Sequence, residues 1–239
     1  MRSMINKTKR MMLPRTIKIP RKEYFWGVTA RAGAHRKQEA VPLLIVLRDY
    51  LHLGDKEREI TRTLSNGMVT VDSRTVKEKG YSLGFMDIVS LKDQDRSYRI
   101  IYSRKGILSV GAEDAAMKDY KLLKIKGKHV VSGKRMQFSF HDGTNRFLDN
   151  NDLRTGDVLK INLNDRSIVA TYKFAKGSKV YLTGGTHIGE IATIREIEIK
   201  SSSRANMVHF EEGFSSLAEY AFVIGSGTDV YRIPEVIAP

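Results

Sequence analysis

The sequence predicts an α+β chain of several domains, and three observations carry that expectation. Apolar residues between 41 and 64 recur at near-helical spacing in two successive stretches. From Arg99 onward, short alternating runs separated by turn residues read as strands almost throughout. The length, 239 residues with 41% hydrophobic, suits one large domain or two to four small ones. The expected divisions are a basic extension over 1–38, a helical and hairpin domain over 39–92, a β-rich central domain over 93–170, and a small barrel with a C-terminal segment over 171–239.

The extension carries most of the charge. The whole chain has 41 Lys and Arg against 27 Asp and Glu, a formal +14, and residues 1–38 hold eleven bases against the single acid Glu23. Such an excess is the electrostatic footprint of a chain that meets a polyanion. Pro14, Pro20, Gly27 and Gly33 interrupt the segment and it lacks a helical apolar period, so it is expected to be extended or poorly ordered until it docks. Ile17, Ile19, Tyr24, Phe25 and Trp26 lie among the bases. This interleaving suits packing on the protein's own domain or on bases, with Trp26 read as a packing anchor, while Lys9, Arg10 and Arg15 meet phosphates.

Val41, Leu44, Ile45, Leu47 and Leu51 predict a first helix, with Pro42 in its first turn and Gly54 beyond its end. Asp55 is the expected N-cap of a second helix, closed by Asn66-Gly67, in which Ile60 and Leu64 face inward and Arg58 and Arg62 lie four apart on another face. Strands are expected at Met68–Val71 and Arg74–Val76 about a turn at Asp72-Ser73, then at Ile88–Leu91. The runs LSNGMVTVDSRTV (64–76) and YSLGFMDIVSL (81–91) in this order resemble the alpha-L, or ribosomal S4-like, RNA-binding domain. That resemblance implies RNA contacts from the two helices and their joining loop, with Arg36, Lys37, Arg48, Lys56, Arg58 and Arg62 as candidates. Glu57 and Glu59 offer the competing reading of paired surface charges.

Beyond Arg99 the expected strands are Ile100–Tyr102, Ile107–Val110, Leu122–Ile125, Val130-Val131, Met136–Phe140, Val158–Leu163 and Ile168–Phe174. Turns are expected at Lys105-Gly106, Gly127-Lys128, Ser132-Gly133, Asp142-Gly143 and Asn164-Asp165, and a brief helix near 112–120. The run TGDVLKINL (155–163) echoes LGFMDIVSL (83–91), a likeness too common in turn-strand pairs to count as a repeat. The stretch KGSKVYLTGGTHIGEIATI (176–194) resembles the KOW motif of SH3-like β-barrels. Its glycines, Gly184 and Gly185 among them, free the backbone to turn tightly and approach nucleic acid. Lys176 and Lys179 add charge there, and His187 at the loop tip is a candidate phosphate contact or an exposed turn residue.

Several other chemistries lack their signatures. There is no Cys, so neither disulfides nor thiolate metal sites arise, and a reducing cytoplasm is the compatible setting. The six histidines show no metal-ligand spacing. Asp149–Asp152 lacks the Gly and Glu of a calcium loop and reads as a polar turn. No phosphate loop, dinucleotide fingerprint or nucleophile elbow occurs, and no apolar run exceeds five residues, so no catalytic residue, metal, cofactor, small-molecule substrate or membrane association is expected.

With KRMMLP (9–14), GAH (33–35), VPLLIVLRDYL (41–51) and FVIGSG (222–227), the order of segments resembles the S4e family of ribosomal proteins over nearly the whole chain. The chain departs from that pattern at Ala34, through 17–24, and in ending at Pro239 without the basic tail of eukaryotic members, which points to the archaeal type. The resemblance implies a non-enzymatic constituent of the small ribosomal subunit in the cytoplasm, bound to its ribosomal RNA and to neighbouring ribosomal proteins. The alternatives are an RNA-modifying enzyme with an appended alpha-L domain and a free RNA-binding regulator of translation.

Overall fold

In the computed structural model, which describes residues 7–148, 152–200, 204–227 and 229–238, the basic N-terminal segment is folded rather than extended. Strand β1 (Lys7–Lys9) pairs antiparallel with β2 (Trp26–Val28), and Leu13, Ile17 and Ile19 between them are buried. With a single acid available, the segment folds around backbone oxygens. The Arg21 guanidinium donates to the carbonyls of Leu13 (2.7 Å) and Pro14 (2.8 Å), and Arg10 donates to the Pro20 carbonyl at 2.7 Å. Outside contacts then fix it: Lys18 N–H donates to the Tyr50 hydroxyl at 3.1 Å, and Leu108 N–H to the Thr16 carbonyl at 2.8 Å. Burial pushes the Tyr50 phenol up to about 12.

Two units make up the described chain. The first comprises the described residues up to Ser103, Ile107–Asp119 and those from Pro234; the second comprises Arg104–Gly106 and Tyr120–Ile233. Strands outnumber helices in the first unit, and the described residues of the second contain strands but no helix.

In the first unit, β3 (Val41–Pro42) precedes α1 (Leu43–Ile45), which runs into a wide π-type turn at Val46–Tyr50. Pro42 is therefore the N-cap, one residue outside the helix. Residues 41–47 are all buried, because this turn packs on both a second helix and the sheet. That helix, α2 (Glu57–Ser65), starts after Lys56 rather than Asp55; Glu59 reaches back to accept from the Asp55 and Lys56 amides at 3.0 and 3.2 Å. Ile60 and Leu64 are its buried residues, as the spacing predicts. The expected hairpin follows as β4 (Val69–Val71) and β5 (Arg74–Thr75), with Asp72 and Ser73 both at positive φ. Next come β6 (Ser82–Leu83), paired with β3, and then β7 (Ile88–Leu91), β8 (Arg96–Tyr102) and β9 (Leu108–Ala112). One antiparallel sheet runs β5-β4-β7-β8-β9 and ends on Val236–Ala238.

Arg99 on β8 is wholly buried, its Nε 2.5 Å from a Glu113 oxygen and its Nη2 3.3 Å from the Met117 carbonyl. The segment expected to form a brief helix near 112–120 is instead a series of turns, and this guanidinium occupies its carbonyl and carboxylate.

The second unit begins with β10 (Tyr120–Val131), one twelve-residue strand where two were expected. The expected turn at Gly127-Lys128 is a bulge: Ile125 pairs with Phe140 but Gly127 with Ser139, so the strand bends without ending. With β11 (Arg135–Phe140), β12 (Asn145–Phe147), β13 (Val158–Asn162) and β14 (Ile168–Tyr172) it forms a sheet of order β12-β11-β10-β13-β14. Leu123, Ile125, Phe138, Phe140, Leu153, Leu159 and Ile161 form its core. In the polar turn at 149–152, residues 149–151 lie outside the described residues. A six-stranded sheet follows: β15 (Ser178–Leu182), β16 (Ile191–Glu198), β17 (Met207–Phe210), β18 (Ser215–Leu217), β19 (Ala221–Ser226) and β20 (Asp229–Val230), ordered β18-β17-β16-β15-β19-β20.

The two echoing runs adopt the same turn. Asp87 and Asp157 are buried; each carboxylate accepts at 2.8 Å from the amide three residues earlier, Gly84 or Arg154. Each follows a residue at positive φ, Met86 or Gly156, and then a strand begins. Asp87 also meets His35 Nε2 at 2.9 Å, while Asp157 accepts from Phe174 N–H at 2.8 Å.

Buried Lys124 joins the two sheets of the second unit by donating to the Glu219 and Ala221 carbonyls, both at 2.7 Å. Burial pushes its ammonium down to about 8 from 10.5. The unfolded chain then binds this proton more tightly than the folded one, so stability rises with pH between about 8 and 10.5. Burial, with Asp229 beside it, pushes the Tyr172 phenol from 10.0 up to about 12, which removes stability as pH rises from 10. Urea unfolding of the second unit is therefore expected to strengthen from pH 8 towards 10, by at most about 1.4 kcal/mol per pH unit, and to weaken above that. In Lys124→Met the rise should vanish while the alkaline fall persists.

Candidate nucleic-acid interface

Helix α2 displays its cations because its apolar residues point elsewhere. Ile60 and Leu64 take one face into the core, and the 3.6-residue period leaves Arg58 and Arg62, four apart, exposed together on another. Lys56 is exposed at the helix start. Glu57 is engaged by Lys79, and Glu59 by the helix N-terminus, so neither acid is spent on these two arginines. Arg48, on the π-type turn, is half-buried and forks onto its neighbour Asp49 at 3.1 and 2.9 Å.

Around the extension, Lys9 and Arg15 are exposed, and Lys9 Nζ lies 5.4 Å from the Phe25 ring centroid. Arg36 and Lys37 are exposed on a single 3-10 turn. Arg10 departs from the expectation of a free cation. Only 6% exposed, it is committed to the Pro20 carbonyl and lies 5.0 Å from the Tyr24 ring, so its main role here is to hold the segment's own backbone. Trp26 departs in the opposite sense: expected as a packing anchor, it is exposed beside exposed Tyr24 and Phe25. Arg21, which sequence reasoning did not single out, is the residue that binds the segment's carbonyls together. The one acid near it in sequence, Glu23, lies 3.8 Å from Arg10 instead, so no local pattern marked Arg21 out.

In the second unit, Lys176 and Lys179 are exposed before and on β15. Gly184 and Gly185 begin the loop to β16, and each is glycine for a separate reason. The Tyr220 ring lies where a Cβ on Gly184 would approach within 2.6 Å, and Gly185 adopts φ +84°. His187 stacks on Phe214, with centroids 4.0 Å apart, and its Nδ1 is 2.9 Å from a Glu190 oxygen. The structure thus gives this histidine one partner in its own loop and another in the turn between β17 and β18.

Among the described residues no helix is long and apolar enough to cross a membrane, and no group of acids and histidines is arranged to hold a metal ion. Cations displayed on rigid, well-packed supports define the class: a basic binding scaffold. Its particular family is ribosomal. Residues 94–168 match the ribosomal family S4e. Over 235 residues the chain is 50% identical to the small ribosomal subunit protein eS4 of Picrophilus torridus, spanning 98% of this chain and all of the relative. The corresponding protein of Thermoplasma volcanium is 46% identical over 231 residues, 97% of each chain. A crystal structure of the 30S ribosomal protein S4e from Thermoplasma acidophilum, 40% identical, superposes with a TM-score of 0.73 and covers 81% of this chain and 99% of that one. The chain belongs to the S4e family of ribosomal proteins.

Two substitutions separate display from support. Arg58→Glu with Arg62→Glu should weaken binding to purified small-subunit ribosomal RNA sharply in a filter-binding assay. Its thermal midpoint should stay nearly unchanged, since exposed charges contribute little to stability. Gly184→Val should lower the stability of the second unit by roughly 1–3 kcal/mol through overpacking against Tyr220, read from urea unfolding.

Proposed function

We infer that the protein is a structural constituent of the small ribosomal subunit, bound to its ribosomal RNA and to neighbouring ribosomal proteins, and that it is not an enzyme. The carrying observation is the 50% identity over essentially the full length of both chains to a protein whose name places it in that subunit. In this reading the extension over 1–38, an alpha-L domain over 39–92 and a KOW-type SH3-like barrel within 171–239 supply the RNA contacts. The β-rich region over 93–170 lies between them in sequence. The displayed pair Arg58 and Arg62, opposite a buried apolar stripe, supports the alpha-L assignment. The glycine-dependent loop after β15 supports the KOW assignment. On the ribosome, the protein works in the cytoplasm.

The charge of the extension, +10 over residues 1–38, makes it the dominant source of electrostatic affinity. The cellular protein should co-sediment with the small subunit through a high-salt wash; release into the free fraction would refute the assignment. Replacing exposed Lys9, Arg15, Lys18 and Lys22 by Gln should flatten the log-log salt dependence of ribosomal RNA binding. The expected change is roughly 0.7–0.9 for each phosphate that is no longer neutralised.

A further inference from the structure

Three consecutive aromatic residues stand out on the surface of the first unit. Tyr24 is 68% exposed, Phe25 61% and Trp26 55%, and Met11 (63%) and Met12 (74%) are exposed on the turn that follows β1. Large apolar side chains gathered in the open mark an interaction site. The backbone under them is held firmly: Lys9 pairs with Trp26, Arg10 N–H donates to the Phe25 carbonyl at 2.9 Å, and Arg10 and Arg21 clamp the connecting chain. Phe25 and Trp26 meet edge to face, 4.8 Å apart at 86°, which fixes one ring against the other.

We propose that Tyr24, Phe25 and Trp26 form a stacking platform for unpaired nucleotides of the bound RNA. This deepens the ribosomal RNA reading and rests on it. The occupant follows from charge and shape together. Lys9 lies 5.4 Å from the Phe25 centroid and Arg10 5.0 Å from that of Tyr24, within a segment of eleven bases and one acid. The partner must therefore be anionic and offer flat apolar faces. A nucleic acid duplex is anionic but keeps its base faces stacked inside, whereas unpaired nucleotides present both phosphate and face. The rings supply stacking that is tolerant of sequence, and the exposed cations Lys9 and Lys22 supply the phosphate contacts, Arg10 being committed to the support beneath.

Trp26 is the sole tryptophan, so its fluorescence reports on this site in the intact protein. The full chain is titrated with a short oligoadenylate, an abasic oligomer of equal length and charge, and a duplex, all at one salt concentration. Oligoadenylate should quench Trp26 and bind roughly tenfold or more tightly than the abasic oligomer, with the duplex quenching little. In Tyr24→Leu with Phe25→Leu that preference should collapse while the salt dependence stays the same. Should the double variant fail to keep the parent's thermal midpoint, Tyr24→Ser alone, at the most exposed of the three rings, is read in its place. Equal binding of the abasic oligomer, or an undiminished preference in the variant, would overturn the platform. So would a photo-crosslinker at position 25 that, in assembled subunits, captures only protein. Retained co-sedimentation with the small subunit would then leave the ribosomal assignment standing, whereas its loss would remove that assignment itself.

Discussion

Eleven cations and one carboxylate in the first 38 residues leave almost no ion pairs with which to fold, and the architecture of this segment depends on backbone carbonyl oxygens instead. A carbonyl accepts from a guanidinium without carrying a charge. Binding Arg10 and Arg21 to the carbonyls of Leu13, Pro14 and Pro20 therefore shapes the chain and keeps its positive excess intact. Ion pairing with added acids would instead have cancelled the field that attracts a polyanion. The same solution recurs in the second unit, where Lys124 is held by carbonyls of the opposite sheet. It recurs in part at Arg99, which combines one carboxylate with two carbonyls.

Those buried cations also mark what could not be read from the sequence. Patterns built on the apolar period were legible: α2 buries Ile60 and Leu64, the hairpin turns at Asp72-Ser73, and β7 spans Ile88–Leu91 as expected. Two expectations about side-chain burial departed from the structure, Arg10 as a displayed cation and Trp26 as a packing anchor. Arg10, Arg99, Lys121 and Lys124 are buried, against the Pro20 carbonyl, Glu113, Asp142 and the Glu219 and Ala221 carbonyls respectively. Tyr24, Phe25 and Trp26 are exposed. Neither reversal has a local signature, since the compensating groups of Lys124 lie more than ninety residues along the chain.

Backbone details divide in the same way. A glycine between two apolar runs signals either a turn or a bulge, and Gly127 is a bulge because β10 keeps pairing with β11 on both sides of it, from Ile125 to Val131. The likeness of residues 83–91 to 155–163 was visible as letters; its meaning lay in the shared aspartate, which caps the amide three residues back in both units. For the candidate interface, the sequence located the exposed arginines of α2 and the two loop glycines. It did not separate Arg10, which holds the scaffold, from Lys9, which is displayed.

The contacts of the basic extension also impose an order in time. Its anchors lie far downstream: Lys18 waits for Tyr50, His35 for Asp87, and Thr16 for Leu108. At the usual pace of about 5–20 residues per second, a nascent chain displays its most cationic stretch for several seconds before these partners leave the exit tunnel. During that interval it is an unshielded polycation among abundant RNA. The most cationic part of the chain is thus the first to be made and among the last to complete its own contacts, which wait on residue 108.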